Sequence, residues 1–202
     1  MAESIETLGG QGYVTLFDNW GDEQKITDIA GLSVGRMPDG KPRPKLIKHL
    51  LTADPNPHMT PFENAGVTLM IKAPIFVVRQ WMRHRTHAYN ERSLRYCQPK
   101  DFYVPTCLDD KDRDHYIFSC AASVDFYNDL MGRGVSKEVA RGVLPLSTMT
   151  VFSDTMNLRA LIEFLRLRDE AHAQAEIREY AQTIRELVTP LWPTVFEVVD
   201  SF

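Results

Sequence analysis

Five arginines and a single acid, Glu91, fall between Arg79 and Arg95, a local surplus of four positive charges in a chain whose formal net charge is −4. Within it, residues 83–96 read Arg-His-Arg-Thr-His-Ala-Tyr-Asn-Glu-Arg-Ser-Leu-Arg-Tyr. A guanidinium presents a planar fork of donors matched to phosphate and carboxylate oxygens and stays charged at neutral pH. Tyr89, Asn90, Ser93 and Tyr96 add rings and neutral hydrogen-bonding groups. The combination suits a ligand that is anionic at one end and aromatic at the other, such as a nucleotide. One acid is too few to pair five arginines, so a solvated helix end laced with surface ion pairs accounts poorly for the segment.

Other chemistries find less support. Ser93 with His84 or His87 as base lacks the G-x-S-x-G elbow of a serine nucleophile. Cys97 has no second feature to mark it as reactive. His58 sits in Asn-Pro-His-Met-Thr-Pro-Phe-Glu without a second ligand at usable spacing, so no metal is expected. Neither a Walker A loop nor G-x-G-x-x-G occurs, which places any nucleotide outside those two binding modes. A rival reading, a single-strand nucleic-acid module, rests on the same basic and aromatic segment.

A second anomaly lies downstream. With Leu158 as origin and about 100° per residue, Leu158, Leu161, Ile162, Phe164 and Leu165 form one apolar stripe. Arg168 falls at about 280°, inside that stripe. A guanidinium there must snorkel to solvent, pair with an acid, or meet an anionic ligand.

The remainder must position these groups. A chain of 202 residues suits a single domain spanning 1–202, long enough to bury roughly 70% of its unfolded surface. Slight acidity argues against a general nucleic-acid or membrane-surface binder, so neither partner is expected. Three cysteines (Cys97, Cys107, Cys120) without C-x-x-C spacing suggest neither a disulfide framework nor a zinc site. The acidic start lacks a signal-peptide pattern, and the longest apolar run, Ala73–Val78, is too short to span a bilayer. A cytoplasmic protein is expected.

Tyr13–Trp20 and Val67–Lys72 read as strands, and residues 24–34, Lys45–Leu51 and Ile75–Arg83 as helices. Gly35–Pro44 and Asp54–Pro61 are loops by their Pro and Gly content. The basic segment is then expected to leave its helix as a turn or loop. Asp112–Met131 carries Tyr116, Cys120, Val124, Tyr127 and Met131 at helical spacing. Ser136 can accept from a backbone N–H at the start of a short helix ending before Pro145, and Asn157 can cap Leu158–Asp169. A last helix is expected from about Ala171 to Val188.

Arg83-His84-Arg85, seven residues, then Ser93 resembles the signature of the flavin-dependent thymidylate synthases. The resemblance extends to the lead-in Lys72–Arg85, to His58-Met-Thr-Pro-Phe-Glu63, and to Glu138–Pro145. Asn157-Leu-Arg159 and Phe164–Arg168 with His172–Ile177 complete the same order, across residues 13–180. It implies an α/β fold of the α+β type, with a mixed or antiparallel central sheet flanked by helices. It further implies reductive methylation of dUMP to dTMP, with methylenetetrahydrofolate as carbon donor and FAD reduced by NADPH, in a homotetramer with shared active sites.

By the same resemblance, Thr60, Arg83, His84, Arg85, Glu91, Asn157 and Arg159 contact FAD. Gln80, Arg83, Glu91, Ser93, Arg95, Arg141 and Arg168 hold dUMP. His58, Ser93 and Arg168 stand closest to the chemistry: His58 beside flavin and folate, Ser93 positioning the nucleotide, Arg168 favouring ionisation of the pyrimidine. Ala88, Asn64 and Glu163 depart from residues common in relatives, and Glu163 is expected to pair with Arg159 one turn earlier. A catalytically idle nucleotide-binding relative would share these features but not oxidise NADPH.

Overall fold

The computed structural model describes residues 3–201. Strands β1 (Glu3–Thr7), β2 (Gly12–Trp20), β3 (Gly66–Pro74), β4 (His87–Glu91) and β5 (Met149–Asn157) form one antiparallel sheet in the order β1-β2-β3-β5-β4. The sheet is built around β3, where Val67, Leu69, Ile71 and Ala73 are fully buried and Thr68, Met70 and Lys72 face the other way. That period of two is what a strand with one covered face requires. Register aligns Tyr89, Asp154 and Leu69 in one row across β4, β5 and β3, and His87, Met156 and Val67 in the next.

The helices are α1 (Glu23–Leu32), α2 (Pro44–Thr52), α3 (Ile75–Trp81), α4 (Asp110–Gly132), α5 (Lys137–Ala140), α6 (Leu158–Arg168), α7 (Ala175–Val188) and α8 (Pro193–Val199). α3, α6 and α7 cover the apolar face of the sheet, and α2 packs on α8. Gly12 permits the crossing of α7: a Cβ there would stand 2.2 Å from the Tyr180 hydroxyl, which donates to the Lys72 carbonyl at 2.5 Å. The opposite sheet face is polar, with Thr68 and Thr155 hydroxyls 3.0 Å apart.

The elements around the site correct several expectations. The basic segment is not all turn or loop: residues 87–91 form the edge strand β4. β1, β5 and α8 were not anticipated, and α7 begins at Ala175 because a turn closed by Ala173 N–H to the Glu170 carbonyl precedes it. Ser136 precedes α5 but makes no side-chain capping bond, and α5 gives way at once to a 3-10 turn, Arg141–Val143. The expected face of α4 is only partly covered, Cys120 and Tyr127 alone being buried.

Candidate active site

The site begins where α3 ends. Trp81 is fully buried, and its ring packs on Phe164 at 4.8 Å, Phe152 at 5.3 Å and Tyr180 at 5.7 Å. His84 N–H then donates to the Trp81 carbonyl at 3.0 Å, and Thr86 takes a left-handed conformation (φ 63°) that swings the chain into β4. The Tyr89 hydroxyl lies 3.1 Å from the Trp81 carbonyl and 3.3 Å from that of His84, lashing strand to helix end. Burial holds its phenol proton on, so it stays a donor.

Opposite stands the last turn of α6. That helix starts directly at the end of β5, where the Asn157 side chain accepts from Ala160 N–H at 2.9 Å, the expected cap. Arg168, half-buried at its far end, neither snorkels nor finds an acid. Its Nε–H donates to His84 Nε2 at 2.8 Å and its Nη2 to the Gln80 carbonyl at 3.1 Å. Both acceptors are neutral, so the guanidinium keeps its full positive charge available to a ligand. Desolvation weakens its hold on the proton, yet an arginine stays a cation at neutral pH.

For His84 to accept at Nε2, its proton must sit on Nδ1. Burial, then the charges of Arg168 and His87, push its pKa down to about 4 from 6.5. A histidine with a depressed folded pKa takes up its proton more readily when unfolded. Stability from this bond is therefore whole above about pH 6.5, declines as pH falls through the window to about 4, and levels off below it. The thermal midpoint should fall across that window. It should fall less steeply in His84→Gln, which retains an acceptor and cannot titrate; equal slopes would contradict the assignment.

Around this corner is a cleft of about 440 Å³ that brings together His84, Arg85, Asn157 and Arg159, with Glu63 and Glu163 at its edge. Arg159 also lines a second, wider cleft of about 720 Å³ shared with His58 and Thr60. Among the described residues Arg79, Arg83, Arg85 and Arg92 pair with no carboxylate, and Arg95 reaches only Glu138, at 3.5 Å. Glu163 does not pair with Arg159 as expected. It bonds Arg166 on the next turn at 2.9 Å, while Arg159 reaches across to Glu63 at 2.7 Å.

The remaining candidates form a separate group. Beyond β4, Ser93 Oγ accepts from Arg95 N–H at 3.3 Å, and Lys137 at the start of α5 donates to the Tyr96 carbonyl at 3.1 Å. With Arg95 reaching Glu138, these contacts tie the segment after β4 to α5, which the turn bearing Arg141 follows in the chain. Glu91 is exposed at the end of β4. Among the described residues no hydrogen bond or ion pair joins Ser93, Arg95 or Arg141 to Arg168 within one protomer. Gln80 stays with Arg168 and donates from Nε2 to the Gln174 side chain at 2.5 Å.

Sequence reasoning missed Asp154, weighed His87 only as a base for Ser93, and named Gln174 only within the His172–Ile177 block. For Asp154 a signal existed: an acid at an inward position between Phe152 and Met156, opposite a tryptophan whose N–H needs an acceptor. No residue pattern pointed to the Gln174 contact with Gln80.

Comparison with known proteins supplies independent findings. A family model described as "Thymidylate synthase complementing protein" matches residues 15–194. The chain is 37% identical over 213 residues to the flavin-dependent thymidylate synthase of Thermosipho africanus, an alignment covering 95% of this chain and 92% of that protein. With the enzyme of the same name from Thermus thermophilus it shares 36% identity over 209 residues, covering 95% of this chain and 76% of the other. The crystal structure of a UMP/dUMP methylase, PolB from Streptomyces cacaoi bound with 5-Br dUMP, matches with a TM-score of 0.83 at 31% identity, covering 95% of each chain.

Proposed function

The chain belongs to the flavin-dependent thymidylate synthase family, and from that premise we propose that it methylates dUMP to dTMP with methylenetetrahydrofolate as carbon donor and FAD, reduced by NADPH, as hydride source. The observation that carries the reading is a surplus of guanidinium groups without acid partners, joined to one, Arg168, aimed by neutral acceptors alone.

The residues present fit a flavin dinucleotide. Its pyrophosphate needs cations that no protein acid has already claimed, and Arg83 and Arg85 meet that need. Two clefts meeting at Arg159 suit a ligand of extended shape, within the size range of cofactor sites. Arg83, His84, Arg85, Asn157 and Arg159 would hold it, with Thr60, Glu91 and His58 alongside. Held there, a reduced flavin would supply hydride to the reaction.

The chain's own groups do the rest. Arg95 and Arg141 take the nucleotide phosphate, Ser93 and Gln80 orient the nucleotide, and Arg168 holds a fixed positive charge against the uracil ring as it ionises. A preorganised charge in a poorly solvated pocket stabilises such an anion without giving up a proton. Ser93 is a positioning group. The two imidazoles near it in sequence are engaged elsewhere, His84 by Arg168 and His87 by Asp154, so neither is free to act as its base. Ser93→Ala should therefore weaken dUMP binding by several fold, on the order of one lost hydrogen bond, while turnover persists. Abolished turnover with unchanged dUMP affinity would contradict that role.

We assign the working state to a homotetramer in the cytoplasm, with active sites shared between subunits. Two features support sharing. Among the described residues Ser93, Arg95 and Arg141 make no link to Arg168, and α4 leaves Phe118 73% and Phe126 50% exposed.

The test is spectroscopic and chemical together. The purified protein should be yellow, bleach with NADPH under anaerobic conditions, and then form dTMP from dUMP and methylenetetrahydrofolate. Binding of dUMP without NADPH oxidation would indicate an idle relative. A colourless protein with steeply salt-dependent affinity for oligonucleotides would indicate the nucleic-acid module.

A further inference from the structure

Asp154 is a carboxylate with no solvent exposure on the inward side of β5, and burying such a charge is costly unless it is paired. Its Oδ2 accepts from Trp81 Nε1–H at 2.7 Å, and both its oxygens lie 3.0 Å from His87 Nδ1. The His87 side chain is only 1% exposed. Its ring stacks on Tyr89 and stands 5.7 Å from the ring of His84, while Phe164 packs against both imidazoles. A continuous line of contacts thus runs from Asp154 through His87 and His84 to Arg168. The roles assigned above use its last two members only.

We propose that the Asp154–His87 pair is a positioning element for dUMP methylation, fixing the His84 imidazole and through it the Arg168 guanidinium in the orientation that meets the pyrimidine. The proposal rests on the assignment of Arg168 to the uracil ring. Its physical core is the lone pair on His84 Nε2, without which Arg168 loses one of its two acceptors.

The neighbours of His84 explain how that lone pair is kept. From α6 come Arg168, Arg159 and Glu163; from β4, His87 and Tyr89; from β5, Asp154; from the 3-10 turn Thr60–Asn64, Glu63; and Arg83 and Arg85 flank it in the chain. Each carboxylate in that set is already engaged: Asp154 by His87, Glu63 by Arg159, Glu163 by Arg166. None is free to stabilise a protonated His84, and burial, the Arg168 guanidinium and the neighbouring His87 all hold its pKa down. The carboxylate of Asp154 thereby serves twice, anchoring Trp81 and holding the His87 ring beside His84.

The test uses the flavin-loaded holoenzyme with His87→Asn, Asp154→Asn and, as reference, Arg168→Ala. His87→Asn keeps an N–H for Asp154 and removes the ring. Asp154→Asn keeps an acceptor for Trp81 and removes the carboxylate. With kcat and KM for dUMP measured across pH, beside flavin content and thermal midpoint, we expect kcat about tenfold lower at neutral pH and KM within about twofold. In His87→Asn the acid limb of kcat should also move to higher pH, because one of the neighbours that hold the His84 pKa down has gone.

An unchanged kcat with an unmoved acid limb would overturn the proposal. So would a parallel loss of kcat, flavin and thermal stability at every pH with the limb in place, since packing alone produces that. If Asp154→Asn does not accumulate as folded protein, His87→Asn decides by itself. A near-normal Arg168→Ala enzyme would show that the assignment of Arg168 had failed. An inactive Arg168→Ala beside a wild-type-like His87→Asn would overturn the positioning role alone.

Discussion

Replacing Arg168 with alanine is expected to lower kcat for dUMP methylation by about 10²–10³, the loss typical of removing one preorganised charge-stabilising donor. The reason is geometric as well as electrostatic. The guanidinium is held from two sides by His84 Nε2 and the Gln80 carbonyl, neither of which neutralises it. An ion pair at the same place would already have spent much of the field on a protein acid. Because the charge acts on an ionising ring, KM for dUMP should rise far less than kcat falls. Lysine should rescue only in part, since a single ammonium lacks the planar fork that reaches both acceptors at once. Steady-state kinetics at matched flavin content check this. A rate within a few fold of wild type would remove Arg168 from the chemistry.

Trp81→Ala should cost the fold about 3–5 kcal/mol, the range for truncating a fully buried large aromatic. That corresponds to a drop in thermal midpoint on the order of 10 °C for a domain of this size. The indole fills the space between β5, α6 and α7, touching Phe152, Phe164 and Tyr180. It also gives the Asp154 carboxylate one of its two partners. Trp81→Phe separates the contributions: it fills most of the volume but leaves Asp154 with His87 alone, for a loss of about 1–3 kcal/mol. Denaturant unfolding of both variants at fixed flavin concentration reads the difference. Equal losses would mean that the buried hydrogen bond adds nothing to packing.

What the sequence made legible, and what it hid, divides along physical lines. β2 and β3 were readable because their inward positions are apolar, as in Val67, Leu69 and Ile71. β5 escaped because its inward row is Thr150, Phe152, Asp154 and Met156, an alternation broken by a hydroxyl and an acid. β4 and β1 escaped because His-Ala-Tyr-Asn-Glu and Glu-Ser-Ile-Glu-Thr, both at sheet edges, bury too little to leave a pattern. The left-handed turn at Thr86 that starts β4 carries no glycine to announce it.

The same split runs through the site. Charge excess marked the arginine cluster, and helical periodicity marked Arg168 as misplaced. Periodicity offered three fates for Arg168 and did not foresee the neutral protein acceptors that it meets, His84 Nε2 and the Gln80 carbonyl. Of these, His84 lies 84 residues away in the chain. The expected Glu163–Arg159 pair failed for a related reason: helical spacing supplies candidate neighbours, and Glu63 from another element proved the better placed.

The most direct check of the central claim is a crystal structure of the flavin-loaded protein with dUMP bound. The account predicts the nucleotide phosphate within hydrogen-bonding distance of Arg95 and Arg141, with the uracil ring against Arg168. A nucleotide lodged elsewhere, with those three guanidinium groups turned to open solvent, would contradict it.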